Sequence, residues 1–303
     1  MDLQSATGKE VITMIENPKY RQSPIDIQQS SVQFQDYRPF SFLGHEKLSI
    51  SSGTLTATNT GSTVKLVAKP GTAFLEGGPL TVKYEFVEMH FHWGDLNNQT
   101  NIVGSEHTID GTAFPLELHM VHRNVHDESI NEALTHENGL CVLGFLFTMI
   151  EDNVDIQTFG MDALTRVVQE FLVSPGAMFD QSVKNSISFI GDVNVANFIP
   201  FRLDEYFHYR GSLTTGDCEE AVNWVVFRTP LAIKRRHIEK LQGIENIEGR
   251  RIINNFRQAM PANNRPVYYK GERLLDLNII SREDAVGLRR EDNAEYVDEE
   301  LLI

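Results

Sequence analysis

Short segments in which apolar and polar residues alternate fill most of the chain between about residues 25 and 230. Successive side chains of a β-strand point to opposite faces, so this period of two predicts strands with one face toward a core. Gly, Asn, Ser and Pro between the segments are typical turn residues. The predicted strands lie in KLSISSG (47–53), TLTATNTGSTVKLVA (54–68), LTVKYEFVEMHFHWG (80–94), AFPLELHMVHRN (113–124), LCVLGFLFTMI (140–150) and AVNWVVF (221–227).

The segment LCVLGFLFTMI is apolar at both sets of alternate positions, which predicts a central strand buried on both faces. Helical spacing is rarer. It predicts helices over DALTRVVQEFLV (162–173) and IKRRHIEKLQGI (233–244), which end near Ser-Pro-Gly and near Gly243. The pattern therefore predicts a mostly β (α+β) fold with a few peripheral helices.

The chain shows no fixed-period repeat and no Pro- or Ser-rich linker, so one domain over residues 20–275 is the economical interpretation. Residues 1–19 are expected to form a partly ordered N-terminal segment. Residues 276–303 form an acidic tail that is expected to be disordered, because it offers few residues for a core.

The charge balance argues against two classes of partner. The 303 residues include 27 basic and 42 acidic ones, a formal net charge of −15. Nucleic acids and anionic membranes attract cationic surfaces, so neither is expected as the main partner. No apolar run approaches the roughly 18 residues that a membrane helix needs.

The start of the chain and its cysteines bear on the compartment. The N-terminus, MDLQSATGKEVITMIENPKY, lacks the features of a signal peptide, so we expect a cytoplasmic protein; the alternative is a secreted protein whose signal peptide is missing from this sequence. Two cysteines, Cys141 and Cys218, are too few for a disulfide scaffold or a cysteine-based zinc site.

Three histidines carry the candidate chemistry. In EFVEMHFHWG, His90 and His92 lie two residues apart and share one face of a strand. In PLELHMVHRN, Glu117 and His119 share a face. One such pair is more often an ordinary core or surface feature. If the two strands pair side by side, however, three neutral imidazoles could hold a zinc ion and leave one coordination position open, as in catalytic zinc sites.

Other polar residues could support such a site. Glu117 could accept a hydrogen bond from a ligating ring, or it could be an ordinary solvated strand residue. GSEHTIDG (104–111) supplies another acid, Glu106, and YRGSLTTGD (209–217) supplies a hydroxyl-rich loop. A hydroxyl between a nucleophile and a carboxylate could orient the nucleophile, although Ser- and Thr-rich loops are usually simple turns.

Eight pieces of the sequence, in this order, resemble the α-class carbonic anhydrases. They span about residues 20–270 and are RQSPIDI (21–27), MHFHWG (89–94), GSEHTIDG (104–111), ELHMVH (117–122), LCVLGF (140–145), GSLTT (211–215), NWVVF (223–227) and NNFRQAMP (254–261). The resemblance implies a large, mainly antiparallel twisted sheet with a zinc cavity. It implies reversible, zinc-dependent hydration of carbon dioxide to bicarbonate and a proton through a zinc-bound hydroxide, by an expected monomer.

The resemblance also implies roles for individual residues. His90, His92 and His119 would bind Zn²⁺, and Glu117 would support His119. Thr214 would accept a hydrogen bond from the hydroxide and donate one to Glu106, with Thr215 beside it. Carbon dioxide would rest on an apolar wall made of Val121, Val142, Leu213, Val222 and Trp224.

The position of the family's proton-shuttling histidine is occupied by Ser62, which cannot relay protons near neutral pH. With water as sole acceptor, a proton leaving a group of pKa about 7 climbs roughly 8–9 pKa units, about 12 kcal/mol. This barrier caps unbuffered turnover near about 10⁴ s⁻¹. Carbonic anhydrase is itself the reference case for roughly 10⁶ s⁻¹ and for the pKa near 7, so both values are carried over from it. We therefore expect an enzyme of moderate speed.

Three further positions depart from the family pattern. Glu88 replaces the usual glutamine two residues before the first ligand; it could be ionised, or protonated and similar to glutamine. Gly216 and Asp217 replace a double proline and should loosen their loop. Cys218 lies where secreted relatives place half of a disulfide, but it is more simply a small apolar residue here.

Two other functions share part of this pattern. A carbonic-anhydrase-like binding module would typically have lost a ligand histidine, whereas all three remain. A cupin-type oxygenase also begins its metal motif with two histidines two residues apart. That motif needs a glutamate shortly afterwards, and Asp95 is the nearest acid here.

Overall fold

The computed structural model describes residues 20–97, 103–156, 158, 160–183 and 191–272. The N-terminal segment 1–19 and the acidic tail 276–303 lie outside the described residues, so the expectations for both stay predictions. Within the described ranges, no helix is long and apolar enough to cross a membrane.

The secondary structure is dominated by strands. In chain order they are β1 (Asp26–Ile27), β2 (Gln33–Phe34), β3 (Arg38–Leu43), β4 (Leu55–Asn59), β5 (Val64–Ala68), β6 (Phe74–Gly78), β7 (Tyr84–Trp93), β8 (Thr108–Ile109), β9 (Leu116–Asn124), β10 (Leu140–Ile150), β11 (Met178–Phe179), β12 (Tyr206–Gly211), β13 (Val222–Lys234) and β14 (Tyr268–Lys270). The α-helices of the described residues are α1 (Ile130–Ala133), α2 (Met161–Phe171) and α3 (Arg235–Leu241). Short 3₁₀ turns lie at Gln29–Ser31, His45–Lys47, Gln181–Val183 and Val195–Phe198.

Twelve of these strands form one large sheet, with the order β11-β4-β5-β7-β9-β10-β13-β12-β14-β2; β6 pairs with β7 and with β3 beside this path. Two of the strand pairs described in this sheet are parallel, β10 with β13 and β14 with β2. Its other described pairs are antiparallel. The predicted mostly β fold with a mainly antiparallel sheet and a few helices is confirmed.

The strand predictions succeed best in the middle of the sheet. Strand β10 has the predicted bounds, lies between β9 and β13, and is buried along its first eight residues. Strand β13 continues seven residues beyond the predicted end at Phe227 and pairs with the second half of β10 after a shift in register.

The predicted strand in KLSISSG (47–53) is wrong. This segment begins at the last residue of a 3₁₀ turn and contributes one isolated bridge, between Ser49 and Asn194. The hydroxyl of Ser52 donates to the backbone oxygen of Ser49, and Thr54 donates to that of Lys47. Such local hydrogen bonds compete with a strand ladder, so alternation alone misled the prediction.

Both predicted helices are present, with shifted bounds. In α2 the residues Met161, Leu164, Val167 and Val168 are buried at helical spacing, which places them on one face against the core. Helix α3 begins at Arg235, two residues after the predicted start, because the residues before it complete β13.

The central strands have two apolar faces. On β9, Val121 packs in one cluster with Val142 and Trp224. This side is called the His119 face below. Met120 points to the other side, called the His122 face, and packs in the larger cluster. The sheet is therefore covered on both faces.

Candidate metal centre

The register between β7 and β9 brings the three predicted ligands together. His90 lies directly opposite His119, and His92 lies opposite Glu117. Alternation puts all three imidazoles on the His119 face, with ring centroids 4.6–5.3 Å apart. One nitrogen from each ring lies within 4.8 Å of the others, which is close enough for a shared metal ion.

Each ring has one nitrogen held by an acceptor. Nδ1 of His90 lies 3.0 Å from Oε1 of Glu88, and Nδ1 of His92 lies 3.0 Å from the backbone oxygen of Asn255. Nε2 of His119 lies 2.7 Å from Oε1 of Glu117. These hydrogen bonds leave Nε2, Nε2 and Nδ1 as the three free nitrogens. Nε2 of His92 is buried without a hydrogen-bond partner.

The electrostatics of His92 favour the form that binds metals. Burial lowers the pKa of His92 to about 4, although the neighbouring Glu106 acts in the opposite direction. The ring is therefore neutral at physiological pH, with a lone pair on its unpartnered nitrogen. A buried lone pair between two other imidazoles fits a zinc ion.

Glu117 is fully buried, which excludes the interpretation as a solvated strand residue. Its Oε1 accepts hydrogen bonds from His119 and from Nδ1 of His107, each 2.7 Å long, and its Oε2 accepts from the backbone N–H groups of Glu106 and His107. Burial raises the pKa of this carboxyl, but the two histidines outweigh burial and hold the pKa well below its ordinary value. A side chain at Gly144, opposite His119 on β10, would approach Oε1 of Glu117 to 3.1 Å.

Glu88 lies beside His90, as expected, and has a second partner that the sequence did not indicate. Its Oε2 is 3.2 Å from Nδ1 of His90 and 3.6 Å from Nζ of Lys65. Burial raises the pKa of Glu88, but His90 and Lys65 together lower it below its ordinary value. Of the two interpretations left open, the structure favours the ionised carboxylate.

The structure does not contain the hydrogen bond from Thr214 to Glu106 that the resemblance implies. Oε1 of Glu106 accepts from the backbone N–H of Arg257 at 2.8 Å, and its Oε2 is buried without a hydrogen-bond partner. Thr214 is half-buried in the loop after β12. The unpartnered oxygen lies 3.9 Å from Nδ1 of His119, so Glu106 does reach the centre.

A cavity of about 850 Å³ opens onto His90 and His92. Its lining includes the apolar side chains of Val121 and Leu213 and several polar residues, among them Ser62. Of the other predicted pocket residues, Thr215 lines the cavity, whereas the remaining three are buried and do not line it: Val142, Val222 and Trp224. Both cysteines are free thiols.

Sequence reasoning missed three supporting residues. His107 joins Glu117 to the hydroxyl of Tyr209, which lies 2.7 Å from Nε2 of His107. Asn255 holds His92 through its backbone oxygen, and its side chain donates to the backbone oxygens of Ser62 and Phe91. His107 and Asn255 lie in GSEHTIDG and NNFRQAMP, so their position in these pieces was the signal that could have identified them.

The fold and the site together define a β-sheet protein with a three-histidine candidate metal centre beside an open cavity. A family model described as eukaryotic-type carbonic anhydrase matches residues 13–271, and the chain belongs to this family. It is 31% identical to human carbonic anhydrase 3 over 218 residues, which cover 70% of this chain and 76% of the relative.

Two further relatives have similar identity. Mouse carbonic anhydrase 1 is 32% identical over 256 residues, which cover 81% of this chain and 88% of the relative. A human protein named carbonic anhydrase-related protein is 33% identical over 223 residues, 69% of this chain and 70% of that protein.

Proposed function

We propose that this protein catalyses the zinc-dependent, reversible hydration of carbon dioxide to bicarbonate and a proton. One observation carries the proposal. Three imidazoles converge, each has its outer nitrogen held by an acceptor, and the inner nitrogen of His92 is buried without a partner. A buried, unpaired acceptor is costly unless a cation or a donor fills the site.

In this proposal, apolar residues of the cavity bind the substrate and polar residues orient the nucleophile. When bound, zinc would polarise water and supply a nucleophile at neutral pH. Val121 and Leu213 would hold the uncharged substrate against an apolar wall. Glu106 has a free buried oxygen near His119, and we propose that it orients the nucleophile together with the hydroxyl of Thr214.

Proton removal would limit the rate. Ser62 lines the cavity at the position where a histidine would relay protons. His45 does not substitute for it, because it is buried against His122, which is on the other face of the sheet. We therefore propose moderate turnover that depends on buffer.

Stopped-flow hydration of carbon dioxide on metal-quantified protein tests this function. We expect one zinc per chain, activity that a chelator removes and zinc restores, and a rate that rises with imidazole concentration. Zinc-loaded protein without hydration at any buffer concentration would refute the enzymatic function.

A second candidate is a binding module that retains the fold without the activity. The observation in its favour is the missing hydrogen bond between Thr214 and Glu106. The same stopped-flow measurement separates the two functions, since a module would hold zinc and show no hydration above the buffer rate.

A further inference from the structure

Lys65 and Glu88 form a pair of opposite charges directly behind one proposed metal ligand. Lys65 lies on β5 opposite His90 on β7, so the two side chains share the His119 face. Nζ of Lys65 is 3.6 Å from Oε2 of Glu88, whose other oxygen is 3.0 Å from Nδ1 of His90. Both charged residues line the same cavity as His90.

The two partners differ in their access to water. The side chain of Glu88 is 11% exposed, whereas that of Lys65 is 36% exposed. Glu88 therefore depends on its neighbours to offset the cost of a buried charge. In the described residues, His90 and Lys65 are the partners that the structure gives its carboxylate.

We propose that Lys65 is a charge-compensating residue of the metal centre, which balances Glu88 so that the pair adds no net charge behind His90. This inference rests on the proposed function, since it concerns the affinity of the same centre for zinc. A carboxylate behind a ligating imidazole raises the basicity of the ring and attracts the cation. A lysine at the same place opposes that attraction.

Charge compensation predicts opposite effects for the two single substitutions. Glu88→Gln keeps an acceptor for His90 but leaves Lys65 unbalanced, so zinc affinity should fall about tenfold. Lys65→Met leaves Glu88 unbalanced and should raise zinc affinity by a few-fold. The double variant carries no charge at either position, so its affinity should return close to that of the unchanged protein.

Competition with a zinc chelator on the full chain measures these affinities. Lys83→Met is the matched control, because Lys83 forms an exposed ion pair with Glu76 at 2.7 Å and neither residue lines the cavity. It should leave zinc affinity unchanged. If both single substitutions lower zinc affinity, Lys65 merely supports packing and the proposal is wrong; an unchanged affinity in Lys65→Met also contradicts it.

A thermal unfolding series on zinc-free protein keeps this inference separate from the proposed function. Lys65→Met should lower the melting temperature by about 4 °C, since it leaves a buried carboxylate without its cation. Adding Glu88→Gln should recover most of that loss. If the unchanged protein binds no zinc, the proposed function fails, whereas recovery in this series still supports the balanced pair and its absence refutes it.

Discussion

The two faces of strand β9 carry histidines with opposite surroundings. His119 faces the cavity side together with His90 and His92, and each of these rings has an acceptor on one nitrogen and a free nitrogen directed toward the others. His122, three residues later, points to the opposite face. It lies among Phe86 and His45, and Nε2 of His122 is 3.4 Å from Nε2 of His45.

The difference between the faces lies in what stabilises the neutral ring. On the His122 face, Nδ1 of His122 donates to the backbone oxygen of Met120, and the remaining nitrogen accepts from His45. Those hydrogen bonds give both ring nitrogens of His122 a partner. In the described residues, no third histidine, cysteine or carboxylate lies close enough to bind a metal ion together with His45 and His122. Identical side chains on one strand therefore form a candidate metal centre on one face and a packed core on the other.

The largest expected effect separates the two faces by substitution. His119→Ala removes a proposed ligand, so zinc should be lost and hydration of carbon dioxide should fall at least about a thousandfold. His122→Ala should keep zinc and activity but reduce the free energy of unfolding by about 2–4 kcal/mol, because it leaves a cavity and a broken hydrogen bond. Zinc content, stopped-flow rates and chemical denaturation of both variants make the comparison.

Either variant could contradict this distinction. A His119→Ala protein that still binds one zinc would show that the metal lies elsewhere. A His122→Ala protein that folds normally and loses zinc would show that the two faces are not independent.

The sequence was sufficient to predict the strand face on which each histidine lies, but not which residues of neighbouring strands lie opposite each other. Alternation in EFVEMHFHWG and ELHMVH predicts which face each of the three histidines lies on, because side-chain direction in a strand depends only on position. The register that sets His90 opposite His119 depends on the whole sheet, and only the family resemblance pointed to it. Lys65 could not be identified, since its proposed role depends on β5 pairing with β7, which no local pattern specifies.

The burial of His45 is a second feature that the local sequence does not predict. Nothing in GHEKLS indicates that His45 is buried, since a histidine between Gly and Glu is typical of an exposed turn. It is nevertheless 2% exposed, because Phe42 and Phe86 enclose it. Tertiary packing thus decides burial where local composition is polar.

The second expected effect concerns pH and the His122 face. Burial lowers the pKa of His45 to about 4, below the ordinary value of 6.5. Because the folded state disfavours the charged ring, neutral His45 contributes fully to the free energy of unfolding above pH 6.5, and this contribution is lost as pH falls toward 4. At about 1.36 kcal/mol per pKa unit, the loss approaches about 3 kcal/mol. Denaturation of zinc-free protein at several pH values between about 7.5 and about 4.5 should show this loss of stability.

His45→Gln should make this acid limb shallower without abolishing it, because glutamine keeps a donor for His122 and has no charge to gain, while the pKa of buried His92 is also lowered to about 4. The exposed His136 is the control of opposite sign. A hydrogen bond to Asp127 raises the pKa of His136, so its stabilisation is present at low pH and is lost as pH rises through the folded pKa. His136→Gln should therefore leave the acid limb at least as steep. An equally steep limb in His45→Gln would show that other groups cause the acid sensitivity.

The smallest expected effect tests whether the cavity side can use a histidine that is neither a ligand nor part of the core. Ser62 is exposed and lines the cavity, and its hydroxyl lies 3.0 Å from that of Thr60. Ser62→His would place a group of pKa near 6.5 beside the centre, where it can accept a proton that water accepts poorly. Turnover at low buffer should rise about tenfold. At high imidazole the turnover of the variant and that of the unchanged protein should converge, because the buffer then accepts the proton in both.

Ser31→His, on an exposed turn outside the cavity, should change neither rate. A Ser62→His protein whose low-buffer rate stays unchanged would mean that proton removal does not limit turnover, and the position of a histidine on the cavity side would then matter only for holding the metal.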